Sequence, residues 1–484
     1  MALTRREFLC RSFGAMGAAA VAFDRFGLLN AFAQSTDYKA LVCIFLFGGS
    51  DTGNVVIPND TDSSSPFAYK NYSDARSSSG LAIPQPSLLQ INPPSIAGSS
   101  FGLHPSLTGL HDLWDQGKMA VVCNVGPLQE PTNRTAYLAG TAHVPVNLFS
   151  HSDQQNEWQT SIADQSKVPP GFGGGWGGRT ADKTAGFNAT GFPLLTSVAG
   201  TPIFCSGNME QPLAIAPAPT ALSAALSLDG FPNPPDNDPR YIAMGQILQE
   251  DQALTLVKGA SGVTTQALKV EKTLTTAGNP LVSPFPLSPR TSLGNQLEQV
   301  AKMISVRSSL QMSRQIFFCS LGGFDTHSNQ VNGGGNAAAG THASLLLQLS
   351  NAMKAFYDAT VNLGVASQVT TFILSDFART YVPNGNLGTD HAWGSHHFVV
   401  GGAVHGGDFY GVPAASTGTV FPTPAANGPD DTDQGGGARG RWIPTTAVDQ
   451  YGATLASWFG VSSVDLPAVF PNIGRFASTN LGFV

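Results

Sequence analysis

Four runs along the chain are apolar and rich in β-branched or aromatic residues: ALVCIFLF at 40–47, MAVVCNV at 119–125, QIFFCSL at 315–321 and VTTFIL at 369–374. They are continuous rather than alternating, the pattern of strands buried on both faces. Helical spacing separates them. LTGLHDLWDQ at 107–116 precedes the second run, and residues 293–310 precede the third. The segment 342–363, apolar at Leu345, Leu346, Leu349, Met353 and Phe356, precedes the fourth. This alternation predicts an α/β fold, a doubly wound, mostly parallel sheet with helices on both faces.

The connections between these elements are long. Residues 63–100 are rich in Ser and Pro, 168–193 in Gly, 206–240 in Pro, Ala and Asn, and 411–441 in Gly, Pro and Asp. We take them as loops or small cap elements on one core, not as linkers between domains. No internal repeat is visible.

Composition narrows the class. Of 484 residues only 12% are charged, against about 25% in an ordinary globular chain. The net charge is −7 with no basic run, which argues against nucleic-acid binding through phosphate neutralisation. The first 33 residues form a predicted leader. Thr4-Arg5-Arg6-Glu7-Phe8-Leu9 matches the twin-arginine export signal, an apolar stretch runs from Phe13 to Phe23, and Ala31-Phe32-Ala33 supplies a cleavage site. That stretch is too short for a stable membrane span. The expected mature chain is thus one domain over 34–484, periplasmic or secreted, whose first partner is the twin-arginine export machinery. Cys43, Cys123, Cys205 and Cys319 form no C-x-x-C pair, so a thiolate zinc site is not expected.

In an open α/β sheet ligands bind beyond the carboxyl ends of the strands. There the sequence places Gly48-Gly49-Ser50-Asp51 after the first strand, Gly322-Gly323-Phe324-Asp325-Thr326-His327 after the third, and Ser375-Asp376-Phe377-Ala378-Arg379 after the fourth. Three bare carboxylates at one edge would repel, so one would be protonated or a cation would sit among them. Four histidines follow within a short span, His391, His396, His397 and His405, and a segment of this kind can complete an imidazole–carboxylate shell. His104, His111 and His342 fit structural roles better. A nucleophile candidate, Ser150 with His151 beside it, lies at a predicted helix start, where backbone N–H groups favour an anion. Arg179, after a Gly-rich run, could meet an anionic group. No G-x-S-x-G elbow and no P-loop are present, which argues against an α/β-hydrolase or an NTPase.

Taken together, the twin-arginine leader, LFGGSDTGN, SHSDQQNEW, GGFDTHSNQ, LSDFART and GTDHAWGSHHFVVGGAVHGGDFYG resemble the bacterial family called domain of unknown function 1501, over about residues 38–484. That family is similar to the alkaline phosphatase and sulfatase superfamily. The resemblance implies an alkaline-phosphatase-like fold with one or two divalent ions (Zn, Mn, Mg or Ca) at the carboxyl edge of the sheet. It implies Asp51, Asp325, His327, Asp376 and His391 or His397 as metal ligands, with Ser150 as nucleophile. Two positions depart from the pattern. The Asp325/His327 pair is spaced by two where phosphatases commonly use four, and Phe377 stands where a His is expected. One metal position would thereby be weaker, harder or absent.

The implied activity is an exported, metal-dependent hydrolysis of phosphate or sulfate esters, with an anionic ester as substrate. The alternative is an exported, non-catalytic binding or assembly protein with a degenerate metal site.

Overall fold

The computed structural model describes residues 37–484 apart from 165, 167, 169–171, 190, 227–238 and 333–335. The leader lies outside the described residues.

The four apolar runs form strands β1 (Lys39–Leu46), β5 (Met119–Gly126), β8 (Arg314–Leu321) and β9 (Val369–Ser375). They belong to a nine-stranded sheet completed by β6 (Leu195–Ser197), β7 (Leu213–Ala214), β10 (Ser395–Gly401), β11 (Phe409–Tyr410) and β12 (Thr446–Ala447). The order is β11-β5-β10-β9-β1-β8-β6-β7, and β12 also pairs with β5. Pairings are parallel except those of β10, which runs against both β9 and β5. A three-stranded antiparallel sheet joins β2 (Val56–Pro58), β3 (Leu89–Ile91) and β4 (Phe101–Leu103).

Both faces of the large sheet are covered, which explains the continuous apolar runs. Val42, Ile44 and Leu46 of β1 enter one core with residues of the helices Thr108–Asp115, Ser292–Ser305 and Thr341–Asn362. Leu41, Cys43 and Phe45 enter the opposite core with residues of the helices His151–Thr160, Trp176–Thr184 and Val448–Phe459. Successive side chains on a strand point to opposite faces, so each face needs its own apolar set. The four cysteines are buried and free. Among the described residues no helix is long and apolar enough to cross a membrane.

The strand ends are level. Leu46 at the end of β1 pairs with Leu321 on one side and Ser375 on the other, so the turns after β1, β8 and β9 meet at one edge. Gly48 and Gly49 make that meeting possible. Both have positive φ (113° and 79°), and a Cβ at Gly48 would lie 2.2 Å from the Asp325 backbone nitrogen. Glycine adopts such conformations without the steric cost other residues incur.

Candidate metal centre

Four donors converge at this edge. One ligand atom each from His151, Asp325, His327 and His391 lies within 4.8 Å of the other three. Asp325 Oδ1 is 3.5 Å from His151 Nε2, 3.3 Å from His327 Nε2 and 3.9 Å from His391 Nε2, and the last two nitrogens are 2.8 Å apart. Tetrahedral ligands about 2.1 Å from a common ion lie roughly 3.4 Å from one another. The observed separations scatter around that value.

Each imidazole is held by its other nitrogen. His151 Nδ1 lies 2.7 Å from Asp376 Oδ2, His327 Nδ1 lies 3.0 Å from Asp390 Oδ1, and His391 Nδ1 lies 2.6 Å from the Phe149 carbonyl oxygen. Carboxylate and carbonyl oxygens accept, so every Nδ1 is the donor and, in the neutral imidazole, every Nε2 keeps its lone pair. Metal-ligating histidines are oriented in this way by their surroundings. Two Nε2 lone pairs facing each other at 2.8 Å repel unless a cation or a proton lies between them. Arg379 offsets Asp325 and Asp376, and Arg439 lies in the field of Asp390. The cluster has the donors to hold a metal ion.

Local structure places each group. His151 opens the helix His151–Thr160, and Gln155 follows one turn later. Residues four apart share a helix face, and both side chains reach Asp376 Oδ2, Gln155 Nε2 at 2.9 Å. The Gly48 N–H donates to the same oxygen at 3.1 Å. Asp376 is therefore fully buried behind His151 and orients a ligand instead of joining the set. Arg379 donates to Asp325 Oδ1 and to the carbonyls of Gly48, Gly49, Thr389 and Phe324, tying the turns after β1, β8 and β9 together. Phe377 packs its ring against those of His151 and His391, with centroids 4.7 and 4.6 Å away. It thus walls the centre where the resemblance expects a ligand.

Electrostatics follow from these contacts. The hydrogen bond to Asp376 raises the His151 pKa, while burial lowers that of His391 to about 4. Burial would raise Asp325, but Arg379 outweighs it and holds the carboxyl below its usual range.

Three expected site residues lie elsewhere. Asp51 and Arg76 are both fully buried in a two-pronged ion pair at 2.6 and 2.9 Å. Gln330 Nε2 adds a further bond to Asp51 at 2.5 Å. The cation expected beside Asp51 is a guanidinium of this chain, and Asp51 is not among the converging donors. His397 lies in the fully buried strand β10, its ring 4.6 Å from that of Trp158 and 5.9 Å from that of Tyr451. Strand β10, buried along its length, carries it into the core among aromatic rings. Arg179 is buried and donates to the carbonyls of Val469, Gly174 and Thr160, so its charge serves protein backbone. Ser150 sits at the N-cap next to His151, and its hydroxyl donates to Asp153 Oδ2 at 2.5 Å.

His151 joins the donor set although its sequence context suggests a catalytic group. Asp390, Gln155 and the Phe149 carbonyl are absent from the sequence reading. For Gln155 the helical spacing from His151 is a usable signal, and for Asp390 its place beside His391. A backbone carbonyl leaves none.

No curated protein matches this sequence. Among solved structures, that of Ps i-CgsB in complex with k-i-k-neocarrahexaose is similar at a TM-score of 0.33 and 7% identity, covering 90% of this chain and 77% of that one. Likeness at that level carries no argument about function. Residues 243–420, the stretch that holds Asp325, His327, Asp376, Arg379, Asp390 and His391, match the model of the family described as Protein of unknown function (DUF1501), which supports the resemblance to that family.

Proposed function

We propose that the protein is a metal-dependent hydrolase of phosphate or sulfate esters, exported by the twin-arginine pathway and related to the alkaline phosphatase and sulfatase superfamily. The observation that carries this reading is the convergence of three Nε2 lone pairs and Asp325 Oδ1, each imidazole fixed through Nδ1. Three imidazoles and one carboxylate suit a borderline ion such as Zn²⁺ better than Mg²⁺, Ca²⁺ or Mn²⁺, which favour oxygen ligands. The ion, when bound, supplies a Lewis acid for the ester oxygen and acidifies a bound hydroxyl.

This chain's own groups do the rest. Asp376 and Asp390 keep His151 and His327 in the tautomer that presents Nε2. Ser150 stands at the start of a ten-residue helix whose first N–H groups favour a negative charge. Its hydroxyl donates to Asp153, the carboxylate placed to take the proton as the Ser150 oxygen attacks phosphorus or sulfur and the ester's alcohol oxygen leaves, after which water hydrolyses the Ser150 ester.

The second reading, an exported non-catalytic binding or assembly protein with a degenerate metal site, draws support from Arg379 and Arg179. Both spend their donors on protein oxygens, so neither is free to stabilise an anionic substrate.

Protein purified without chelator should hold one divalent ion per chain and hydrolyse aryl phosphate or aryl sulfate, and Asp325→Ala should lose both. Metal without hydrolysis selects the second reading. Absence of metal, with Asp325→Ala indistinguishable from the parent, overturns the hydrolase reading.

A further inference from the structure

The loop before β12 brings a second arginine to the rim of the centre. Arg441 donates from Nε to the His391 carbonyl oxygen at 2.9 Å and from Nη1 to Asp433 Oδ1 at 3.1 Å. Its guanidinium lies 5.0 Å above the Phe149 ring, and the carbonyl of that same Phe149 holds His391 Nδ1. His391, Phe149 and Arg441 thus form a closed triangle on one side of the donor set.

The loop is braced from beneath. Asp431, fully buried, accepts from the backbone N–H groups of Asn427, Asp433, Gly440 and Arg441 at 2.8 to 3.0 Å. Phe149 itself is held at φ 77°, a conformation that bulky residues rarely adopt and that gathers at functional sites. The Arg441 side chain keeps 29% of its surface exposed, and among the described residues no protein acceptor meets Nη2. Unlike Arg379 and Arg179, it retains donors for a ligand, and they are pre-positioned.

We propose that Arg441 is the anion-anchoring residue of the centre. Its Nη2 donates to an oxygen of a tetrahedral oxyanion, phosphate or sulfate, whose remaining oxygens face the His151–Asp325–His327–His391 donors. This rests on the reading of the centre as one for anionic esters, and it supplies the cation that Arg179 does not. A guanidinium fixed at two other points loses little freedom on binding an oxyanion, and its fork matches that geometry.

The test is calorimetric titration of orthophosphate, and separately of sulfate, into the full-length protein with and without added Zn²⁺. The parent is compared with Arg441→Met, Arg441→Lys and Asp433→Asn. Arg441→Met should weaken oxyanion binding at least tenfold while metal content stays at the parent level, and Arg441→Lys should recover part of the loss. Asp433→Asn removes the carboxylate charge that competes for the Arg441 guanidinium and should tighten binding severalfold, a gain that misfolding cannot produce. Unchanged affinity in both Arg441→Met and Asp433→Asn overturns the proposal, as does a metal-loaded parent that binds neither oxyanion. Arg441-dependent binding that survives without metal upholds the anchor even if the hydrolase reading fails.

Discussion

Asp376 Oδ2 and His151 Nδ1 lie 2.7 Å apart, and the carboxylate is fully buried while the imidazole faces the centre. This pairing fixes which nitrogen of His151 is free. Asp376→Asn keeps the shape but replaces a charged acceptor by an amide. We expect metal affinity to fall about 10- to 100-fold, the usual loss when such an outer partner is removed, with little change in fold. Competition with a chromogenic chelator measures it, and affinity equal to the parent's would show that Asp376 does not orient a ligand.

Arg76→Met should be far more costly to the fold than to the centre. It leaves the Asp51 carboxylate fully buried with Gln330 but without its cation, a loss of about 3–5 kcal/mol. Adding Asp51→Asn should restore most of it, because no buried charge then remains. Urea denaturation of the single and double variants decides this. An Arg76→Met protein as stable as the parent would contradict the ion pair's structural role.

Asp449 gives the pH dependence a definite sign. Burial raises its pKa to about 7, against about 3.9 in an unfolded chain. Between those values the native state keeps a proton that the unfolded chain has released, so this residue's contribution to stability falls as pH rises and levels off above about 7. Asp449→Asn cannot titrate. The stability of parent minus variant should therefore drop by about 1.4 kcal/mol per pH unit across that window. A flat difference from pH 4 to 8 would refute it.

Removing metal should lower the melting temperature of the parent but not of Asp325→Ala. An ion at a hundredfold excess over its Kd stabilises the folded state by about 2.7 kcal/mol. Differential scanning with and without EDTA reads this directly. Equal shifts in both proteins would place the effect of the chelator elsewhere.

The sequence makes the long strands legible because burial on both faces leaves a composition signature that β1, β5, β8 and β9 all carry. Strand β10 hides because Ser395, His396 and His397 open it with polar side chains that suggest a metal shell. Their burial is visible only once the Asn124 N–H donates to His396 Nδ1 at 3.1 Å and Phe421 stacks on its ring at 4.6 Å. Strands β6, β7, β11 and β12 are two or three residues long, too short for any periodicity. Asp325, His327 and His391 are legible because strand ends gather ligand groups. The diversion of Asp51 is not, because Arg76 sits in a helix within a Ser- and Pro-rich connection, and no local spacing links the two.

The reversal of β10 decides which parts of the centre travel together along the chain. The chain leaves β9 and enters β10 at the same edge, so Asp376, Arg379, Asp390 and His391 travel on one hairpin-like excursion that never crosses the sheet. A parallel successor would have required a crossover to the far edge. His151 and Asp325, in contrast, come from segments distant in sequence and meet the others only because β1, β8 and β9 pair side by side. The donor set therefore exists only where those three strands are paired, so an ion held by it reports that the central sheet is intact.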